Sequence, residues 1–209
     1  MIKCGRPSKG EEQQSRDRLL DAALKLFLEH GYGNLSMETI ARDARVSLRT
    51  LYRLFGGKAG LFGALIRRCS DQFISSLADD YPFEQALLLF ARQFLFRVTR
   101  PDVIRMRAIL IGESPRFPDL ATQFYQQGPS RTLDHLTLFF KRHQQTGKII
   151  DTDPRFLAEQ FISALRGESM QRLQLGLELP PEESEIDAWV DKVTHLFFQG
   201  CRPRHSIDN

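Results

Sequence analysis

The 209 residues contain no run near the ~18–20 apolar residues that a membrane-spanning helix needs. The longest apolar run, Ala86 to Ala91, is far too short. The basic residues near the N-terminus are not followed by an apolar segment, so no secretory signal is expected. The expectation is a cytoplasmic chain with no membrane contact. Cysteine is scarce: Cys4, Cys69 and Cys201 are odd in number and widely spaced, giving neither a disulfide framework nor a zinc pattern. Three reduced thiols are expected, and nothing beside Cys69 in the sequence points to redox sensing. Reactive constellations are missing too. There is no G-x-S-x-G, H-E-x-x-H or Walker loop, and Gly56-Gly57-Lys58 lacks the spacing of the last. His30, His135, His143, His195 and His205 are scattered, with no cysteine at ligand spacing. An enzyme is not expected, nor a metal or other cofactor. Strand alternation, hairpin dipeptides and internal repeats are all lacking.

What is present is an ordinary globular composition, 42% apolar and 26% charged, arranged as helix after helix. Net charge is +3, but residues 1–62 hold eleven Lys/Arg against seven Asp/Glu, so the positive excess sits in the first third. That is the end expected to meet phosphates. Leu20, Ala23, Leu24 and Phe27 recur at helical spacing and predict a helix over 15–30, ended by Gly31 and Gly33. Ser36 is an N-cap candidate for a short second helix with Glu38 in its first turn and Ile40, Ala41 and Ala44 on its buried side. Ser47 caps a third, through about residue 54, and a longer fourth helix is expected over 58–78.

A second block follows Tyr81-Pro82. Pro101 suits a helix first turn, where its missing N–H is no loss. Gly128-Pro129 is read as ending one helix and starting the next. Asp153-Pro154 opens a helix expected to run to residue 175, and Pro180-Pro181 with Glu182 and Glu183 opens the last, which ends near Gly200. Ile186, Trp189, Val190, Val193, Leu196 and Phe197 give that helix more apolar surface than one core-facing stripe requires, which predicts a partner subunit.

Two short helices joined at Arg45-Val46 have the layout of a helix-turn-helix. Ile40, Val46 and Leu51 are spaced to pin them together, while Leu48, Arg49, Thr50 and Arg53 project from the second. The combination Leu19-Leu20-Asp21-Ala22-Ala23, Phe27, Gly31-Tyr32, Ile40-Ala41, Val46-Ser47, Thr50-Leu51-Tyr52, Phe55, Lys58 and Leu61-Phe62 resembles the DNA-binding domain of the TetR family over residues 15–65. The stretch Glu113-Ser114-Pro115-Arg116-Phe117-Pro118-Asp119-Leu120, with Phe124-Tyr125 and Gly128-Pro129, resembles the C-terminal domain of one TetR subfamily. Departures are Arg45 where the family has glycine, Arg49 for a frequent glycine, Leu54 for His or Tyr, and Ala59 for an acid. A left-handed Arg45 would cost on the order of 1 kcal/mol. Arg49 adds a guanidinium able to pair with guanine O6 and N7.

The resemblance implies an all-α protein with an N-terminal three-helix helix-turn-helix domain and a C-terminal helical domain for effector binding and dimerisation. The expected division is a flexible basic arm at 1–14, the DNA-binding domain at 15–62, the effector and dimerisation domain at 63–201, and a tail at 202–209. Leu48, Arg49 and Thr50 become candidate base readers, with Arg53 on the same helix. Thr39, Ser47, Tyr52 and Lys58 become candidate phosphate contacts to double-stranded operator DNA. Lys3, Arg6-Pro7 and Lys9 read either as a minor-groove arm or as a solvated tail. The family's mechanism implies a small-molecule effector, of unknown identity, that moves the helix starting at Lys58 and releases a palindromic operator. Phe90, Phe94, Ile109, Phe117, Phe124, Phe139 and Phe161 are pocket candidates that read equally as core; Arg105, Glu113 and His143 are polar candidates. A homodimer is implied through helices at about 154–175 and 182–199, with Phe161, Leu165, Trp189, Val193 and Phe197 at the interface. The competing reading is a regulator without a small effector, controlled by a protein partner or acting as an activator.

Overall fold

The computed structural model describes residues 9–78 and 81–202; the side chains of Lys9, Glu11 and Glu12 are outside that description. The proposed arm residues Lys3, Arg6 and Pro7, and the tail from 203 onward, therefore lie outside the described residues. The described residues form eleven α-helices, one 3₁₀ turn and one π segment, with no strand among them. None of the helices is long and apolar enough to cross a membrane. The chain divides into two compact units: residues 1–66 with 106–124, and residues 67–105 with 125–209.

The first unit starts with α1 (Lys9–His30), six residues earlier than the apolar period indicates. Those residues are polar, so they carry no period. Polar side chains hold the second turn, where Gln13 donates to the Asp17 carboxylate at 3.2 Å and Arg18 Nε donates to the Gln14 carbonyl. α2 (Met37–Asp43) and α3 (Leu48–Phe55) follow, then α4 (Lys58–Ile74). The unit also takes in the second half of α6 (Pro101–Glu113) and most of α7 (Pro118–Tyr125). One core joins them: Leu20, Ala23 and Phe27 of α1, Ile40 and Ala41 of α2, Leu51 and Phe55 of α3, Leu61, Phe62 and Leu65 of α4, and Met106, Leu110 and Leu120. Phe27, Tyr32 and Phe62 meet as an aromatic trio with centroids 5.6–5.9 Å apart.

The second unit begins at residue 67 within α4, which passes into a 3₁₀ turn at Ser75–Leu77 instead of continuing to 78. It holds α5 (Phe83–Val98), α8 (Arg131–Gln145), α9 (Pro154–Arg166), α10 (Ser169–Gln174) and α11 (Glu183–Cys201). α8 packs on α9, and α5 on α11. Two sequence expectations are corrected here. Gly128-Pro129 does not interrupt the chain. A π segment, Gln126–Ser130, carries it from α7 into α8, because the wider turn accommodates a proline that lacks an N–H. The helix from Pro154 does not reach 175 either. It stops at Gly167, whose φ of +53° is left-handed and where a Cβ would lie 2.8 Å from the Trp189 ring. α11 opens on a capping box in which Glu182 and Glu185 satisfy each other's backbone N–H.

Candidate DNA-binding site

The two short helices repeat one local device. Ser36 Oγ accepts from Thr39 N at 3.2 Å, and Ser47 Oγ accepts from Thr50 N at 3.0 Å. Each serine is an N-cap with extended backbone, and each hydroxyl also pairs with its threonine, at 3.2 and 2.7 Å. The Ser-x-x-Thr spacing occurs at 36–39 and again at 47–50, a signal in which the serines alone already mark the helix starts. Between the helices Arg45 takes a φ of +52°, the left-handed value anticipated for that turn, at a cost on the order of 1 kcal/mol. Val46 N donates to the Ala41 carbonyl at 3.0 Å and closes the turn.

α3 is sharply two-sided. Leu51 and Phe55 are buried, while Arg49, Tyr52 and Arg53 are exposed and Leu48 and Thr50 are half-buried. Tyr52 is 47% exposed. α3 carries no acid, so its outer face is cationic and aromatic. Gly56 ends it with φ +73°, its N–H bonded to the Tyr52 carbonyl. Among the candidate phosphate contacts Ser47 is exposed and Thr39 half-buried, both tied into the caps.

Lys58, a candidate phosphate contact, is half-buried and turned toward the loop after α1. Its Nζ donates to the carbonyls of Tyr32 and Leu35 at 2.7 and 2.8 Å and lies 4.4 Å from the centre of the Tyr32 ring. Burial holds its pKa below the ordinary lysine value, partly countered by the charge of Glu113. The ammonium is held by the carbonyls of the turn after α1, of which Tyr32 O also accepts from Leu35 N at 3.4 Å. Sequence spacing could not reveal this.

The residues nominated for an effector pocket fall in both units. Phe90, Phe94, Phe139 and Phe161 lie in the core of the second unit, ring against ring, as in Phe90–Phe94 at 5.8 Å. Ile109, Phe117 and Phe124 belong to the first unit and are half-buried there. Phe117 packs edge-on to Tyr32 at 5.3 Å. Of the polar candidates, Arg105 is exposed, His143 stands edge-on to Phe139 at 4.5 Å, and Glu113 binds the turn after α1. Open hollows lie on the second unit. One, of about 300 Å³, is lined by Arg92, Phe96, Ile186 and Asp187 among others; the second, of about 620 Å³, by Ile74, Leu77, His135, Leu138, Lys141 and Arg142 among others. None of the seven apolar candidates lines either.

The proposed dimer residues divide as well. Phe161 and Leu165 are fully buried within one chain and Val193 nearly so, all three in the core that α5, α8, α9 and α11 share. Trp189 remains 43% exposed, with its indole N–H bonded to the Leu165 carbonyl, and Phe197 is half-buried. Phe156 and Leu196 on the same two helices are exposed at 51% and 71%; Leu196 belongs to the surplus apolar surface read from the sequence, and Phe156 does not. Cys69 receives the Arg97 guanidinium at 2.9 Å, whereas Cys201 is buried and its thiol is pushed up to about 11. Among the described residues no group of three or more His, Cys, Asp or Glu could hold a metal.

Residues 19–65 match the family model for bacterial regulatory proteins of the tetR family, and residues 85–200 match that for the C-terminal domain of AefR-like transcriptional repressors. An HTH-type transcriptional regulator of Staphylococcus aureus (strain USA300) is 31% identical over 121 residues, covering 56% of this chain and 64% of that relative. The flavonoid-responsive regulator FrrA is 34% identical over 92% of this chain and 100% of its own, with a TM-score of 0.67. A TetR-family regulator from Mesorhizobium loti, at 22% identity, shares the fold with a TM-score of 0.76 over 94% of this chain and all of its own. These relatives are regulators, not enzymes. The chain belongs to the TetR family of bacterial transcriptional regulators, and its first unit carries that family's helix-turn-helix.

Proposed function

We propose that this protein is a cytoplasmic repressor that binds a palindromic operator as a homodimer and leaves it when a small effector binds the C-terminal region. The observation that carries the reading is the outer face of α3, where Arg49, Tyr52 and Arg53 stand exposed on a helix anchored by Leu51 and Phe55. A helix of this form suits the major groove, with its first residues at base edges. Arg49 is the principal base reader, with Leu48 and Thr50 beside it. Tyr52, Thr39 and Ser47 contact phosphates, and Lys58 acts from within by holding the turn before α2. Phe156, Trp189 and Leu196, exposed on α9 and α11, form the dimer seam with Phe197. The AefR-like repressor match supports repression, and the flavonoid-responsive relative supports an aromatic effector. A regulator controlled by a protein partner is the competing reading, favoured by the close packing of Phe90, Phe94 and Phe161.

Operator binding measured over a salt series tests the assignments. Tyr52→Ala removes one phosphate interaction per subunit. It is expected to weaken binding to all duplexes alike, with the plot of log K against log salt nearly unchanged, because a neutral hydroxyl displaces no counterion. Affinity equal to wild type on every duplex would refute the phosphate role. Arg49→Ala is expected to relax preference at one base pair in each half-site, by roughly 1–3 kcal/mol, while leaving the slope nearly intact. Retention of the full wild-type preference would remove Arg49 from the base readers.

A further inference from the structure

We infer that Glu113 is a positioning residue for operator binding: from the end of α6 its carboxylate clamps the turn that leads into the helix-turn-helix. This rests on the DNA-binding reading above. The Glu113 carboxylate accepts from two successive backbone N–H groups, Tyr32 N to Oε1 at 3.0 Å and Gly33 N to Oε2 at 2.5 Å. Successive N–H groups on one turn form an anion-binding concavity, and here the anion is a side chain 80 residues further along the chain. The turn is shaped to receive it. A Cβ on Gly31 would lie 2.5 Å from Glu113 Oε1, and one on Gly33 would lie 3.0 Å from the Phe117 ring and 3.1 Å from Oε2. Both glycines therefore do more than end α1: they admit the carboxylate and the ring.

The opposite side of the same turn is held by Lys58, whose ammonium takes the carbonyls of Tyr32 and Leu35. Phe117 completes the arrangement, packed on Tyr32 and 5.6 Å from the lysine nitrogen. The peptide groups of one short turn are thus gripped by a carboxylate on their N–H side and an ammonium on their C=O side. That turn runs directly into Ser36, the cap of α2, and Lys58 follows α3 by two glycines. The chain segments before and after the helix-turn-helix are tied together at one place, and the tie includes a residue from α6. This gives a role to the Glu113-to-Leu120 stretch that base contacts and dimerisation leave unused.

Charge and position make opposite demands, so the sign of the effect is diagnostic. Removing a negative charge from a DNA-binding unit should tighten its binding to phosphates if only long-range electrostatics matter. A loosened turn should weaken it. The experiment compares the full chain with Glu113→Gln, measuring operator affinity across a salt series and amide hydrogen exchange at Tyr32 and Gly33. The expected result is affinity about tenfold weaker, an unchanged salt slope, and faster exchange at both amides without change in the α5 and α9 core. Affinity equal to or tighter than wild type would overturn the proposal. So would free exchange of the Tyr32 and Gly33 amides in the wild-type protein, a measurement that needs no variant and stands even if Glu113→Gln does not fold. If wild type binds no operator, the regulator reading fails on its own, and the wild-type exchange result still decides whether the clamp exists.

Discussion

Gly60→Ala is expected to destabilise the first unit by about 3 kcal/mol and to abolish tight operator binding at 37 °C, the upper end of what overpacking costs. Propensity alone gives the other sign, since alanine inside a helix is favoured over glycine by up to ~1 kcal/mol. Steric contact decides against it. A Cβ on Gly60 would fall well inside van der Waals contact with the carbonyl oxygen and carbon of Phe55, which are backbone atoms and cannot rotate aside. Relief would require the end of α3 and the start of α4 to part. That junction is fixed by the bond from Gly56 N to the Tyr52 carbonyl at 2.8 Å and from Leu61 N to the Gly57 carbonyl at 2.9 Å. Phe55 and Leu61 are also both buried in the core of the unit. Denaturant unfolding followed through the first unit, together with operator affinity, checks this. A variant as stable as wild type would mean that α3 and α4 do not approach as described.

Phe161→Ala is expected to lower stability by about 3–5 kcal/mol, as for a fully buried phenylalanine that leaves a cavity. For a chain of this length that lowers Tm on the order of 10 °C. The residue reads from the sequence both as pocket lining and as dimer interface, and the structure buries it in the core of the second unit. Its ring lies 4.8 Å from that of Phe197, 6.3 Å from Phe140 and 6.4 Å from Phe90, fully buried within one chain. Leu196→Ala is the contrasting variant: its side chain is exposed, so it should alter subunit association while the unfolding of each chain stays close to wild type. Calorimetry with sedimentation separates the two effects. A Phe161→Ala protein within about 1 kcal/mol of wild type would show that the ring is not structural.

The contrast explains what the sequence revealed and what it concealed. Ser36, Ser47 and Gly56 act within a few residues of themselves, so the caps and ends of α2 and α3 were legible from local chemistry. So was the unusual backbone at Arg45, because a turn that needs a left-handed residue declares itself when the glycine is missing. The two-sidedness of α3 followed from Leu51 and Phe55 alone. The π segment at Gln126–Ser130 was not legible, since Gly-Pro ordinarily punctuates helices and only packing keeps this one continuous. The contacts of Glu113 and Lys58 are not legible for a different reason. Their partners are backbone atoms of a turn 23 to 81 residues away, and nothing in local spacing encodes such a contact. Phenylalanines on the middle helices have the same periodicity whether they fill a core or line a pocket, so Phe90, Phe94 and Phe139 could not be assigned before packing was known.

The central claim is that α3 reads DNA in a two-fold symmetric complex. Its most direct test needs no knowledge of the regulated gene. The purified full chain is incubated with a pool of random-sequence duplexes, bound DNA is recovered and amplified through repeated rounds at low and near-physiological salt, and the enriched sequences are read. The account predicts an inverted repeat whose half-site centres are separated by about 10 base pairs or a multiple of that, with the Arg49→Ala protein relaxed at one position per half-site. Failure to enrich any sequence at either salt, or enrichment of a site without two-fold symmetry, would contradict it.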